Sequence, residues 1–181
     1  MAEIAETKSS SGSPFWRFSL GFYRAAGVAD ACIALQDGAA VDVNLLLFLL
    51  WNASRNRAFS ASEIEDLERR IGPWREAAVI PLRNIRRALK SPPEVIEAGT
   101  AEVFRTKIKA AELEAERLQQ EALYALSQAR ELGHPVASAA DAARANVSAY
   151  QDLCKRPFPP ADVETLLAAF ARLTPNPQKR G

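Results

Sequence analysis

The stretch Val43-Asn-Leu-Leu-Leu-Phe-Leu-Leu-Trp-Asn52 constrains this chain more than any other segment. Read as a helix, it is apolar around its whole circumference and has no face to offer water. Its unbroken apolar run, Leu45 to Trp51, is seven residues long, whereas a membrane span needs about 20. The only stable place for such a helix is the middle of a bundle, wrapped by other helices. Asp42, directly before it, is of the residue type that caps helix N-termini by accepting a hydrogen bond from an orphan backbone N–H.

The flanking sequence supplies the wrapping. Ser13-Pro14 opens a helix with a cap and a first-turn proline, and Phe15, Phe18, Phe22 and Ala26 repeat at helical spacing up to Gly27. A second helix is predicted over Val28 to Gln36, closed by Asp37-Gly38 because glycine accepts the left-handed conformation cheaply. Ser60 and Glu63 form a capping box for a helix from Ala61 to Ile71. Gly72-Pro73 then punctuates, and a longer helix runs from Pro73 to Leu89 with a kink expected near Ala77 to Pro81, where Pro81 removes a backbone hydrogen bond.

The longest element is predicted from Ala101 to Leu132, with Gly133 as its stop signal. Phe104, Ile108, Ala111, Ala115, Leu118, Ala122, Ala125, Ala129 and Leu132 keep a 4-3-4-3 spacing, the pattern of a helix packed along another helix. Trp74, Ala78, Pro81, Ile85 and Leu89 give a matching stripe, so the two helices should pair as an antiparallel hairpin joined near residues 90–100, with a dimeric coiled coil as the competing arrangement. Two further helices are expected at 137–153 and Ala161 to Leu173, split by Arg156-Pro157-Phe158-Pro159-Pro160. No alternating strand-length run occurs. The fold class is therefore all-α: a helical bundle with a long antiparallel helical hairpin, one domain over 13–173 between flexible tails at 1–12 and 174–181.

Charge is nearly balanced at +1, so the whole molecule offers no global attraction for nucleic acid or an anionic membrane. Its distribution is uneven, since residues 69–109 carry ten Arg and Lys against four Asp and Glu. Cys32 and Cys154 stand far apart with no CxxC, which argues for buried free thiols rather than a disulfide framework or zinc site. Residues 1–13 lack the apolar core of a signal peptide. No transmembrane segment is expected, and a cytoplasmic location follows.

Two groups of polar residues are candidates for function. Gln36, Asp37, Asp42 and Asn44 flank the loop that opens the apolar helix, where a polar cluster can bind a ligand or, more simply, cap helices. Arg83, Arg86, Arg87, Lys90, Arg105, Lys107 and Lys109 would gather at one end of the hairpin, and like charges so placed gain nothing for folding. Trp16, Tyr23, Trp51 and Trp74 are core candidates that can also line a pocket. Glu112, Glu116, Arg117 and Glu121 read as a solvated helix face, and the single His134 as a solvent-facing residue beyond a helix end. The chain has no phosphate loop, HExxH, nucleophile elbow or paired Glu-x-x-His, which argues against an enzyme. No metal and no cofactor is expected.

Phe15-Trp16, Ser19-Leu20, Tyr23, Gly27-Val28, Ala31-Cys32, Leu35-Gln36-Asp37, Asp42-Val43-Asn44-Leu45-Leu46-Leu47-Phe48 and Trp51 resemble the signature of an uncharacterised bacterial family of small helical proteins, a domain of unknown function. Pro81-Leu82-Arg83, Arg86-Arg87, Leu89-Lys90, Glu112-Leu113 and Ala115-Glu116-Arg117 resemble its later part. The resemblance spans roughly residues 15–130 and implies no activity, cofactor or catalytic residue. The leading functional expectation is a non-enzymatic interaction or adaptor protein that binds a protein partner or self-associates through its helices. The alternatives are an anion- or nucleic-acid-binding module using the basic segment 83–109, with nucleic acid the less favoured, and an enzyme or small-ligand carrier built around the Asp37–Asn44 loop.

Overall fold

A computed structural model describes residues 12–174, which form helices α1 (Pro14–Tyr23), α2 (Val28–Ala39), α3 (Val43–Ala53), α4 (Ala61–Trp74), α5 (Ile80–Ala88), α6 (Ala98–Ala129), α7 (Ala139–Cys154) and α8 (Pro160–Leu173). The expected tails at 1–12 and 174–181 fall almost wholly outside these residues. Helix α3 is the axis. Leu45, Leu46, Phe48, Leu49 and Leu50 are completely buried, among Phe15 and Phe22 of α1, Leu35 of α2, Ile64 and Leu67 of α4, Tyr150 of α7 and Phe170 of α8. Phe15 meets Phe48 edge-on at 5.2 Å between ring centroids, the geometry that the ring quadrupoles favour. Among the described residues no single helix is long and apolar enough to cross a membrane; α1 and α2 pass that test only together, bent by 99°.

The caps form where the sequence places them. Ser13 accepts from the backbone N–H of Trp16, Asp42 accepts from those of Asn44 and Leu45, and the Ser60–Glu63 capping box is complete. The second helix departs from expectation, since it continues through Gly38 to Ala39. Ala40, at φ 56°, takes the left-handed cap position, held by its own N–H to the carbonyl of Leu35 and by the burial of Val41 and Asp42 next to it.

A larger correction concerns Gly72-Pro73, which does not end a helix. α4 passes through Pro73, because the clash between a proline ring and the preceding Cβ vanishes when that residue is glycine. The chain then continues into α5 through a π-helical turn, Arg75–Val79. Pro81 cannot donate to the carbonyl four residues back, and the wider turn, with Ile80 N–H reaching the carbonyl of Arg75, absorbs that irregularity. The added residue rotates everything after it by about 100°.

α5 and α6 do pack antiparallel, and the predicted seam holds at Trp74, which precedes the π turn and donates its indole N–H to the carbonyl of Ala115. Elsewhere it fails, since Ile85 on α5 is 44% exposed, and Phe104 and Leu118 on α6 are 51% and 44% exposed. The inward face of α6 consists of Ala101, Glu112, Ala115, Gln119, Gln120 and Leu123. It is polar because its neighbours are polar: α5 presents Arg83 and Arg86, α3 presents Asn44, and buried polar groups require such partners.

No strand was expected, yet Arg57–Ala58 (β1) pairs antiparallel with His134–Pro135 (β2). Two residues per strand are below what hydrophobic alternation can signal. The long helix also stops at Ala129, before Leu132. Gly133, at φ +64°, marks the crossing of the two strands, where a Cβ would lie 2.7 Å from the carbonyl oxygen of Ala58. His134 is exposed.

Candidate ligand cleft

The polar inward face of α6 forms the floor of a cleft between α1, α2 and the start of α3 on one side and the α5–α6 hairpin on the other. One end is a cavity of about 260 Å³ walled by Trp16, Leu20, Tyr23, Ile33, Leu47 and Leu113, with Ser19, Arg24, Gln36, Asn44, Glu116 and Gln120 as its polar part. The other end is a cavity of about 700 Å³ lined by Arg83, Arg86, Arg87, Lys90 and Lys109. The two share Tyr23, Ile33, Gln36, Leu113 and Glu116. A third hollow of about 290 Å³ adjoins both, with Asp37, Asp42, Asn44, Arg75, Arg83 and Arg87 around it.

Asp42 and Asn44 belong to one buried network. Asp42 Oδ1 caps α3 at 2.9 Å from Asn44 N, while Oδ2 accepts from Arg75 at 3.1 Å and from Gln119 Nε2 at 2.5 Å. Asn44 Nδ2 donates to Gln119 Oε1 at 3.0 Å, and Gln120 Nε2 donates to Asn44 Oδ1 at 2.8 Å. The backbone N–H of Asp42 donates to Tyr150 Oη at 3.0 Å. Arg75 also binds Glu68 at 2.6 Å. These links hold each amide in one orientation, so the groups they leave free point in fixed directions. Among the described residues, Gln120 Oε1 and Ser19 Oγ are buried without a hydrogen-bond partner.

The basic end has its own order. Glu112 is 5% exposed and accepts from Arg83 at 3.1 Å, and from both Nε and Nη2 of Arg86. Arg83 also reaches Glu116 at 2.8 Å. Burial works against ionisation of Glu112, but the hydrogen bonds and charges of Arg86 and Arg83 outweigh it and hold its carboxyl below the usual range. Glu116 goes the other way, because burial raises its carboxyl beyond what Arg83 takes back. Tyr23 is likewise raised by burial. Arg87 pairs with Asp37 at 2.8 Å in the open. Lys90, Lys107 and Lys109 have no ion pair among the described residues.

The cleft thus unites residues from both sequence-predicted groups, Gln36, Asp37 and Asn44 on one side and Arg83, Arg86, Arg87, Lys90 and Lys109 on the other, while Asp42 borders only the adjoining hollow. Arg105 and Lys107 do not line it, and Arg105 pairs with Glu102 on its own helix. Glu112 and Glu116, expected on a solvated face, are the partners that neutralise Arg83 and Arg86. Of the four aromatics, Trp16 and Tyr23 line the cavity; Trp51 packs against Phe15 and Tyr124, and Trp74 donates to the carbonyl of Ala115. Sequence reading missed Ser19, Gln119 and Gln120. Adjacent glutamines on a helix carry no signal until the π turn fixes which face is buried.

No curated protein and no solved structure matches this chain. The family model described as "Protein of unknown function (DUF2390)" matches residues 14–123, the segment that contains every wall of the cleft, and the chain belongs to that family.

Proposed function

We propose that this chain is a small-ligand-binding protein whose cleft takes an amphipathic anion. The observation that carries the reading is the junction of two cavities of opposite character through five shared residues. An apolar body fits the end walled by Trp16, Leu20, Tyr23 and Leu113, and a phosphate or carboxylate meets Arg86, Arg87, Lys90 and Lys109. Lys90 and Lys109 support this because they lack ion pairs among the described residues, so an anion need not displace a carboxylate to reach them. Sites that combine apolar walls with a few convergent polar groups are the usual form of a ligand pocket. No catalytic step is assigned.

Calorimetric titration with phenyl phosphate tests the reading. Binding that weakens with rising salt, and weakens at least about tenfold in Lys90→Glu/Lys109→Glu, supports it. Absence of binding, or an affinity indifferent to both salt and charge reversal, overturns it.

A second reading keeps the protein partner expected from sequence. Val103 is 61% and Phe104 51% exposed beside Lys107, so an acidic segment with apolar side chains would complement the outer face of α6. The free cysteines Cys32 and Cys154 support a reducing, cytoplasmic setting, and the bacterial source rests on the family resemblance alone.

A further inference from the structure

We infer that the ligand of this cleft is a nucleotide, its base held on Gln120, its sugar hydroxyls at Glu116 and its phosphate at the basic end. This deepens the amphipathic-anion reading and rests on it.

The buried end supplies the first argument. Gln120 uses one N–H on Asn44 Oδ1, while its Oε1 has no partner among the described residues. A primary amide has two donors and one acceptor oxygen, so Gln120 offers one free acceptor beside one remaining donor. That pairing matches a planar ring edge with an adjoining donor and acceptor, as glutamine reads adenine. Each of the four bases carries such an edge on its pairing face, so the argument selects a nucleotide and not one base. An orphaned buried acceptor is unfavourable until a ligand N–H reaches it. Ser19 Oγ on α1, also buried without a partner among the described residues, adds a second polar group at the same end. Trp16 and Tyr23 line this end, and aromatic side chains are suited to the faces of a base.

The spacing along α6 supplies the second argument. Glu116 lies one turn from Gln120, roughly 6 Å along the axis, and Glu112 with its arginines lies roughly 12 Å away. An ordered series therefore runs along one helix face: amide edge, carboxylate, cationic cluster. A nucleoside phosphate has the same order of base edge, hydroxyls and phosphate, and a carboxylate is the group that accepts from sugar hydroxyls in known nucleotide sites. A fatty or aryl anion would leave Gln120 Oε1 without a donor, and Glu116 with Arg83 alone.

The same chemistry belongs to a free nucleotide and to a nucleotide within a strand. Calorimetric titration of the full chain with adenosine, guanosine, cytidine and uridine monophosphates, ribose 5-phosphate, phenyl phosphate and a short mixed oligoribonucleotide separates the sources. At least one nucleotide, free or in the oligonucleotide, is expected to bind about tenfold or more tighter than both ribose 5-phosphate and phenyl phosphate. Gln120→Leu should remove that preference, with the nucleotides losing about tenfold or more relative to phenyl phosphate measured on the same variant. Should Gln120→Leu fail to fold, Gln120→Glu, which lacks the amide donor, should reduce the preference in its place. Nucleotides bound no tighter than phenyl phosphate, or a preference untouched by substitution at Gln120, would overturn the nucleotide assignment while the amphipathic-anion reading stands. Failure of every phosphate in the panel to bind overturns both.

Discussion

Arg83 Nε donates to Glu112 Oε1 over 3.1 Å, with the two side chains only 15% and 7% exposed. This pair, together with Arg86, explains how a hairpin with a polar inner face can be stable. Two guanidinium groups share one carboxylate, and each covers the other's desolvation cost only while all three are present.

Removing the shared carboxylate should therefore be expensive. Glu112→Ala is expected to lower stability by about 2–4 kcal/mol, since it leaves Arg86 without its partner in a half-buried position. Chemical denaturation measures it; a loss below about 0.5 kcal/mol would mean that the hairpin is held by something else.

The pH dependence has a definite sign. Glu112 is held below the ordinary carboxylate value of 4.5, so its contribution is present above that value and lost as pH falls through the lowered one. The stability deficit of Glu112→Gln against the parent should be full near pH 7 and shrink below about pH 4. Glu116 is raised by burial, so its ionisation costs stability as pH rises through the raised value. Glu116→Gln should thus gain on the parent with rising pH. Melting curves across this range check both directions.

Asp42 is more than a helix cap. Taken as a cap alone, Asp42→Asn would cost little and Asp42→Ala about 0.5–2 kcal/mol. The structure adds Arg75 and Gln119 on Oδ2, so Asn takes the most buried of its three carboxylate partners from Arg75 and leaves it Glu68 and Glu76. Both substitutions are expected to cost about 2 kcal/mol or more, and equal stability of Asp42→Asn and the parent would contradict the network.

The buried positions of α3, Asn44 to Ala53, are expected to exclude an added charge. Leu46→Asp and Phe48→Asp place an unpaired carboxylate where the parent side chains are fully buried, and neither chain should fold to a soluble, cooperatively melting state. Circular dichroism of purified material decides the point.

The thiols should be silent in the folded chain. Burial pushes Cys32 up to about 12 and Cys154 to about 11, and the thiolate is the reactive form. A chromogenic disulfide reagent at pH 8 should titrate both only after denaturant is added, with Cys154 the faster of the two if either reacts natively.

The sequence by itself determined the helical class, the central position of α3 and the caps at Ser13, Asp42 and Ser60. Each of these depends on local chemistry: an all-apolar helix must be enclosed, and a side-chain oxygen beside a helix start meets an N–H three residues away. It also named Gln36, Asp37 and Asn44, and Arg83, Arg86, Arg87, Lys90 and Lys109, which line the cleft, along with Arg105 and Lys107, which do not. What it could not show was the rotation of the hairpin. The π turn at Arg75–Val79 shifts the register by one residue, and of the apolar stripe from Phe104 to Ala129 only Ala115 kept the inner face, beside Glu112, Gln119 and Gln120. A spacing rule favours apolar residues for a seam, whereas the folded chain must also provide partners for Arg83, Arg86 and Asn44. Those partners lie more than 25 residues away along the chain, so their demand exists only once the helices are assembled, and it decided which face of α6 became the floor of the cleft.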